Sequence, residues 1–149
     1  MNRKTLLQSL ERREKISFDG HISLYAEFVG CDPVKLQDEK FVASVIFSSI
    51  VQGRMKMVDF FIKKFEGGGG GVTAAAIVSD SHIIVNTYPE ATFLMLDVYA
   101  CSGSPINVLY EFIRRFKPKR VDFVVTPRTF KDSNTTSKII LSEEMIKDK

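Results

Sequence analysis

Tryptophan is missing from this chain, and histidine and cysteine nearly so: His21, His82, Cys31 and Cys101 are the whole complement among 149 residues. Two cysteines cannot build the disulfide framework of a small secreted protein. Two cysteines and two histidines are also a poor basis for a zinc cluster, so no metal is expected. No apolar run approaches the length that crosses a bilayer, and no membrane association is expected. A strong charge of one sign is lacking too, since 21 Lys and Arg stand against 18 Asp and Glu. The small basic clusters, Arg12-Arg13, Lys63-Lys64 and Arg114-Arg115 with Lys117, Lys119 and Arg120, read as solvated faces rather than as a nucleic-acid surface. The basic opening, MNRKTLLQSLERREK, scatters its leucines among charges and is followed by no small-residue cleavage pattern. It does not read as a secretory signal, and the expected compartment is the cytoplasm.

What is present suits one soluble domain with a real core. Residues 1–19 read as an N-terminal extension, helical over 3–14 through Leu6, Leu7 and Leu10, and residues 20–149 as a single domain. HISLYAEFVG alternates Ile22, Leu24, Ala26 and Phe28 against polar residues and predicts a strand. Asp32 and Pro33 predict the start of a helix running to about Val51, with Val42, Val45, Ile46 and Ile50 as its apolar stripe and Gly53 as its stop. RMKMVDFFIKKF predicts a strand exposing Lys56 and Lys63. Residues 72–79, 82–88 and 92–100 predict three more strands, joined so closely that they must pair antiparallel. A second helix is expected from Pro105 to about Phe116, with Ile106, Leu109, Tyr110 and Ile113 on one face and Pro118 closing it. Strands at Arg120–Thr126 and Lys138–Ser142 complete the pattern, before frayed final residues. Helices and a mainly antiparallel sheet make an α/β (α+β) two-layer sandwich, with the helices on one face. Phe60, Phe61, Phe93 and Tyr99 are expected to leave the other face partly apolar and suited to a second copy of the chain.

The stretch from Gly67 to Cys101, GGGGGVTAAAIVSDSHIIVNTYPEATFLMLDVYAC, stands out. Five glycines form a loop, because no residue loses more backbone freedom in a regular element. A phosphate-cradling loop would follow its last glycine with lysine, and Val72-Thr73-Ala74 does not, so the loop reads as a connector passing close to something bulky. Asp80-Ser81-His82 interrupts buried strands with polar groups, which is destabilising unless those groups are partnered or used.

GVTAAAIVSDSHIIVNTYPE followed by LDVYAC resembles the central motif of the prokaryotic S-adenosylmethionine decarboxylase proenzymes, and HISLYAEFVGCD resembles their first strand. Spacing agrees without a gap from Thr73 to Cys101, and the resemblance covers about His21 to Val125. It implies a chain that cuts itself between Asp80 and Ser81 and converts Ser81 into a pyruvoyl cofactor. That ketone would condense with the amine of S-adenosylmethionine and take up the electrons released as carbon dioxide leaves. The product would supply aminopropyl groups for spermidine synthesis. By the same resemblance Thr73 offers a hydroxyl to the oxyanion formed during cutting, Cys101 is the acid that protonates the product, Glu90 holds the ribose hydroxyls, and Tyr88 packs or contacts adenine. A homodimer with sites at or near its interface is implied as well.

Two positions depart from the family pattern. Asp80 stands for its usual glutamate. Asn86 stands for the histidine that takes the serine α-proton during elimination, and an amide is no general base. Strand alternation sends His82 to the face opposite Ser81, while His21 approaches only from another strand. These departures leave two alternatives: a pyruvoyl decarboxylase of arginine or ornithine, and a non-processing homologue that binds a ligand or a partner subunit.

Overall fold

A computed structural model of the chain describes residues 21–128 and 141–146. The helix expected over 3–14, the start of the last strand and the end of the chain lie outside the described residues. The rest is one seven-stranded antiparallel sheet, ordered β2-β3-β4-β5-β1-β6-β7, with helices on one face. Its strands are β1 (His21–Val29), β2 (Met57–Lys64), β3 (Val72–Val78), β4 (Ser81–Tyr88), β5 (Phe93–Ala100), β6 (Arg120–Arg128) and β7 (Leu141–Ile146). The helices are α1 (Pro33–Gln37), α2 (Glu39–Gln52) and α3 (Pro105–Phe116).

Period-two alternation builds the core. Leu24, Ala26 and Phe28 of β1, Ala74 and Ala76 of β3, Ile83 and Val85 of β4, and Leu94, Leu96 and Val98 of β5 all turn to the helices and are buried. The helices answer with Val42, Val45, Ile46 and Ile50 from α2, the stripe expected from the sequence, and Val108, Leu109, Phe112 and Phe116 from α3. At roughly 25 cal/mol per Å² of apolar surface removed from water, this shared layer is the main source of stability.

Three expectations need correction. The helix from Pro33 to Val51 is two helices, because Asp38 is extended (φ −86°, ψ 102°) and its carboxylate accepts from the Phe41 amide to cap α2. An aspartate that bonds its own backbone favours a cap over a helix interior. Asp32 caps α1 as expected, accepting from Val34. Helix α3 buries Val108, Leu109, Phe112 and Phe116, whereas Ile106, Tyr110 and Ile113 are only partly covered flanks. Phe60 faces the helices, edge-on to Phe47 with ring centroids 4.8 Å apart, instead of lying on the open face.

The open face carries Phe61, Ile77, Met95 and Tyr25 exposed, with Phe93 and Tyr99 half-buried. No helix among the described residues is long and apolar enough to cross a membrane.

Candidate functional site

Strands β3 and β4 form a hairpin closed by the pair Val78 and Ser81, so Ser79-Asp80 is a two-residue turn. Ser79 has φ 54°, the left-handed region, and its amide donates to the Lys56 carbonyl at 2.9 Å. A non-glycine residue held there stores roughly 1 kcal/mol or more of backbone strain. The peptide bond between Asp80 and Ser81 follows directly.

Ser81 turns towards the helix side and is 5% exposed. Its hydroxyl accepts from the Cys101 amide at 2.9 Å and donates to Cys101 Sγ at 3.2 Å. The Cys101 thiol in turn donates to the Asp80 carboxylate. That bond, helped by Asp80's own backbone and by the charge of His21, holds the Asp80 carboxyl below the ordinary aspartate value. One short turn and the end of β5 therefore bring Cys101 against Asp80 and Ser81, 20 residues before it in the chain. The serine oxygen has one fixed donor and one acceptor, the arrangement a hydroxyl needs before it gives up its proton.

Beside this cluster, on the open face, lies a cavity of about 740 Å³ whose lining includes Ile77, Asp80, Ser81, His82, Asp97 and Tyr99. Tyr99 lines it from β5. His82 is its cross-strand neighbour, with ring centroids 5.7 Å apart. His21 Nδ1 is hydrogen-bonded to the Tyr99 hydroxyl, and Arg128 lies over the Tyr99 ring at 5.8 Å. Reading the sequence assigned Tyr99 only to an apolar surface. Its position two residues before Cys101, on the face opposite Ala100, was the available signal for a place beside the cut.

The remaining candidates sit at the other end of the hairpin. Thr73 and Asn86 are cross-strand partners, and the threonine hydroxyl donates to the Asn86 side-chain oxygen at 2.7 Å. Tyr88 ends β4, its ring 6.0 Å from that of Phe93. Glu90 is exposed in the short 3-10 turn Pro89–Ala91 that follows. The glycine loop closes over this end, and what it passes is the chain itself. A Cβ at Gly71 would fall 2.5 Å from the Thr87 carbonyl oxygen, and one at Gly69 would fall 2.7 Å from Glu90 Oε2.

Five residues of strand separate Ser81 from Asn86, about 16 Å at 3.3 Å per residue. They also occupy opposite faces of the sheet, because Ser81 is buried with Ile83 and Val85 while Asn86 shares the open face with Thr73 and Met95. A single chain thus brings Asp80, Ser81 and Cys101 together, and Thr73 and Asn86 together, but holds the two groups apart. No group of three or more His, Cys, Asp or Glu side chains suited to a metal occurs among the described residues.

Residues 22–129 match the family model described as S-adenosylmethionine decarboxylase. The arginine decarboxylase proenzyme of Ignicoccus hospitalis is 33% identical over 104 residues, covering 68% of this chain and 71% of that protein. The S-adenosylmethionine decarboxylase proenzyme of Pyrobaculum islandicum is 32% identical over 101 residues, covering 66% and 80% respectively. Among solved structures, the adenosylmethionine decarboxylase of Aquifex aeolicus superposes with a TM-score of 0.69 at 21% identity, covering 79% of this chain and 98% of that one, a likeness of fold.

Proposed function

Because the chain belongs to the S-adenosylmethionine decarboxylase family, we propose that it is a self-processing, pyruvoyl-dependent decarboxylase of S-adenosylmethionine. The observation that carries this reading is the Ser81 hydroxyl, bonded to Cys101 and placed directly after the strained Ser79-Asp80 turn. Ser81 Oγ attacks the Asp80 carbonyl carbon, the C–N bond breaks, and the chain is joined through an ester while the Ser81 amine takes a proton. Loss of the Ser81 α-proton then expels the Asp80 carboxylate from Cβ, leaving a dehydroalanine residue that water converts to the ketone with release of ammonia.

The residues present fit such a group. Ser81 is buried at one side of the cavity, its backbone fixed by β4, and Cys101 Sγ lies 3.2 Å from the oxygen that leaves. Once formed, the pyruvoyl carbonyl supplies an electron sink for an amine-bearing substrate. Cys101 holds a proton at Sγ beside that position. Asp80 and Asp97, which share the lining with His82 and Arg128, offer carboxylates to the cationic sulfonium. Glu90, whose carboxylate suits two adjacent ribose hydroxyls, belongs to the same site only if a second copy supplies it. The functional unit is therefore a homodimer. A two-fold axis between open faces sets the Asn86–Glu90 end of one copy against the Ser81 end of the other.

Intact-mass measurement of the purified protein should find two fragments, residues 1–80 and 81–149, the second blocked by a ketone at its start. A chain that stays whole under every condition removes this function and leaves a non-processing, ligand- or partner-binding homologue. Arginine is the second reading, favoured by relatives 33% and 30% identical that are named arginine decarboxylase proenzyme. Carbon dioxide release measured in parallel on S-adenosylmethionine, arginine and ornithine decides: release from arginine or ornithine alone displaces the first substrate.

A further inference from the structure

Elimination at Ser81 requires a base, and the open-face residue at the family's histidine position is the amide of Asn86, at the far end of the strand. The pairing of the sheet points elsewhere. Strand β5 places Ala100 opposite Ile22 of β1, and His82 opposite Tyr99, so one step further along the same rows Asp80, Cys101 and His21 fall in line across three adjacent strands. β5 lies between β1 and β4, so His21 stands two strand spacings, about 10 Å, from the cut, and its imidazole leans across β5 to span part of that distance. His21 is oriented rather than loose. Its Nδ1 shares a hydrogen bond with the Tyr99 hydroxyl, and its ring stacks on the Tyr99 ring with centroids 5.6 Å apart and planes 21° from parallel. Its charge is felt at the Asp80 carboxylate, the residue on the other side of the bond to be cut. His82 lies on the same tyrosine ring at 5.7 Å but makes no comparable bond to its hydroxyl among those described.

We infer that His21, held by Tyr99, is the proton acceptor for the elimination step at Ser81 in this chain. The inference rests on the self-processing reading above. In the tautomer that donates from Nδ1 to the Tyr99 oxygen, Nε2 carries the lone pair. Nε2 takes the Ser81 α-proton, the C–H electron pair becomes the Cα–Cβ double bond, and the Cβ–Oγ bond breaks with its electrons on the departing Asp80 carboxylate. Nothing is oxidised or reduced, and the imidazolium returns its proton to solvent. Among the described residues, Asp80, Asp97, Cys101, His82 and Arg128 are titratable or charged groups around this pair, and the nearby Asp80 carboxylate stabilises the imidazolium as it forms. Tyr99 is a positioning residue.

The test follows processing of the full chain by mass and by gel, for the parent, His21→Gln, His82→Gln and Tyr99→Phe. His21→Gln should slow the appearance of the blocked fragment by about 100-fold or more, while the ester-linked chain accumulates and is split by hydroxylamine. Added imidazole should restore the reaction in His21→Ala, a readout that a merely structural loss would not give. Tyr99→Phe should slow elimination less, with the same trapped ester. Processing of His21→Gln at the parent rate overturns the inference, as does an uncut chain resistant to hydroxylamine, which places the block before elimination. A defect confined to His82→Gln transfers the role to that residue. A parent chain that never cuts overturns both this inference and the reading on which it rests, whereas a parent that cuts beside an unaffected His21→Gln overturns this inference alone.

Discussion

At the turn end of the β3–β4 hairpin, polar groups bond across elements within one chain: Ser81 to Cys101, Cys101 to Asp80, His21 to Tyr99. At the opposite end Thr73 and Asn86 bond to each other on the open face, and Glu90 projects from a turn packed against a glycine loop. The first end gathers a hydroxyl, a thiol and a carboxylate around a backbone turn. The second presents side chains outward, towards whatever covers the sheet. Residues adjacent in a motif are thus allotted to different tasks by the rise of a strand.

Mixing is the sharpest way to break that contrast. If Ser81 is the cut residue and Glu90 the ribose anchor, as proposed, Ser81→Ala and Glu90→Ala should each lose turnover, yet co-expressed they should recover a fraction of it. Each mixed pair would hold one site with an intact Ser81 from one copy and an intact Glu90 from the other. No recovery, from mixed pairs demonstrated by mass, would place both ends in one chain's site.

A smaller effect separates the loop glycines that touch the strand end from those that do not. Gly71→Ala drives a methyl against the Thr87 carbonyl and should destabilise by about 1–3 kcal/mol in denaturant melts. Gly67→Ala meets nothing within 4 Å and should lose only about 1 kcal/mol, the strain of its φ of 84°. Equal losses would show that the loop does not seat the Glu90 end.

The smallest effect concerns pH. The folded-state pKa of Asp80 is depressed, so its contribution is complete above the ordinary aspartate value and disappears as pH falls through the lowered one. Melting temperatures of Asp80→Asn and of the parent, both in a Ser81→Ala background, should differ by a constant amount from about pH 5 to pH 8 and converge only in stronger acid. Convergence near neutrality would mean that the carboxylate is not held by the thiol.

Much of the fold was legible because one face of each strand is buried. The alternation in β1, β3, β4 and β5 and the brevity of the connection fixed direction, whereas the turn expected at Asp80-Ser81 lies one residue earlier, at Ser79-Asp80, which puts Ser81 inside β4. Phe60 was misplaced because β2 is an edge strand whose register shifts between Met57 and Asp59, and a one-residue slip exchanges faces. The break at Asp38 was hidden inside a helical pattern, since an aspartate can end one helix and cap the next without glycine or proline to mark it. In the site, the meeting of Ser81 with Cys101 was implied by the family resemblance, and the structure brings the two together. The separation of Asn86 and Glu90 from Ser81 was implicit in the spacing of the motif, once each residue of strand is given its length. The bond between His21 and Tyr99, 78 residues apart in the chain, depends on a strand order that local pattern does not specify.

The strand order has a further consequence. A cut between Asp80 and Ser81 leaves β1, β2 and β3 on one fragment and β4 to β7 on the other, yet β1 lies between β5 and β6, bonded to both. The two pieces are interleaved like the fingers of clasped hands. Neither can leave without stripping β1 from the middle of the sheet, so a severed chain keeps the cohesion of an unbroken one, and the nick frees only the new end at Ser81 to change its chemistry.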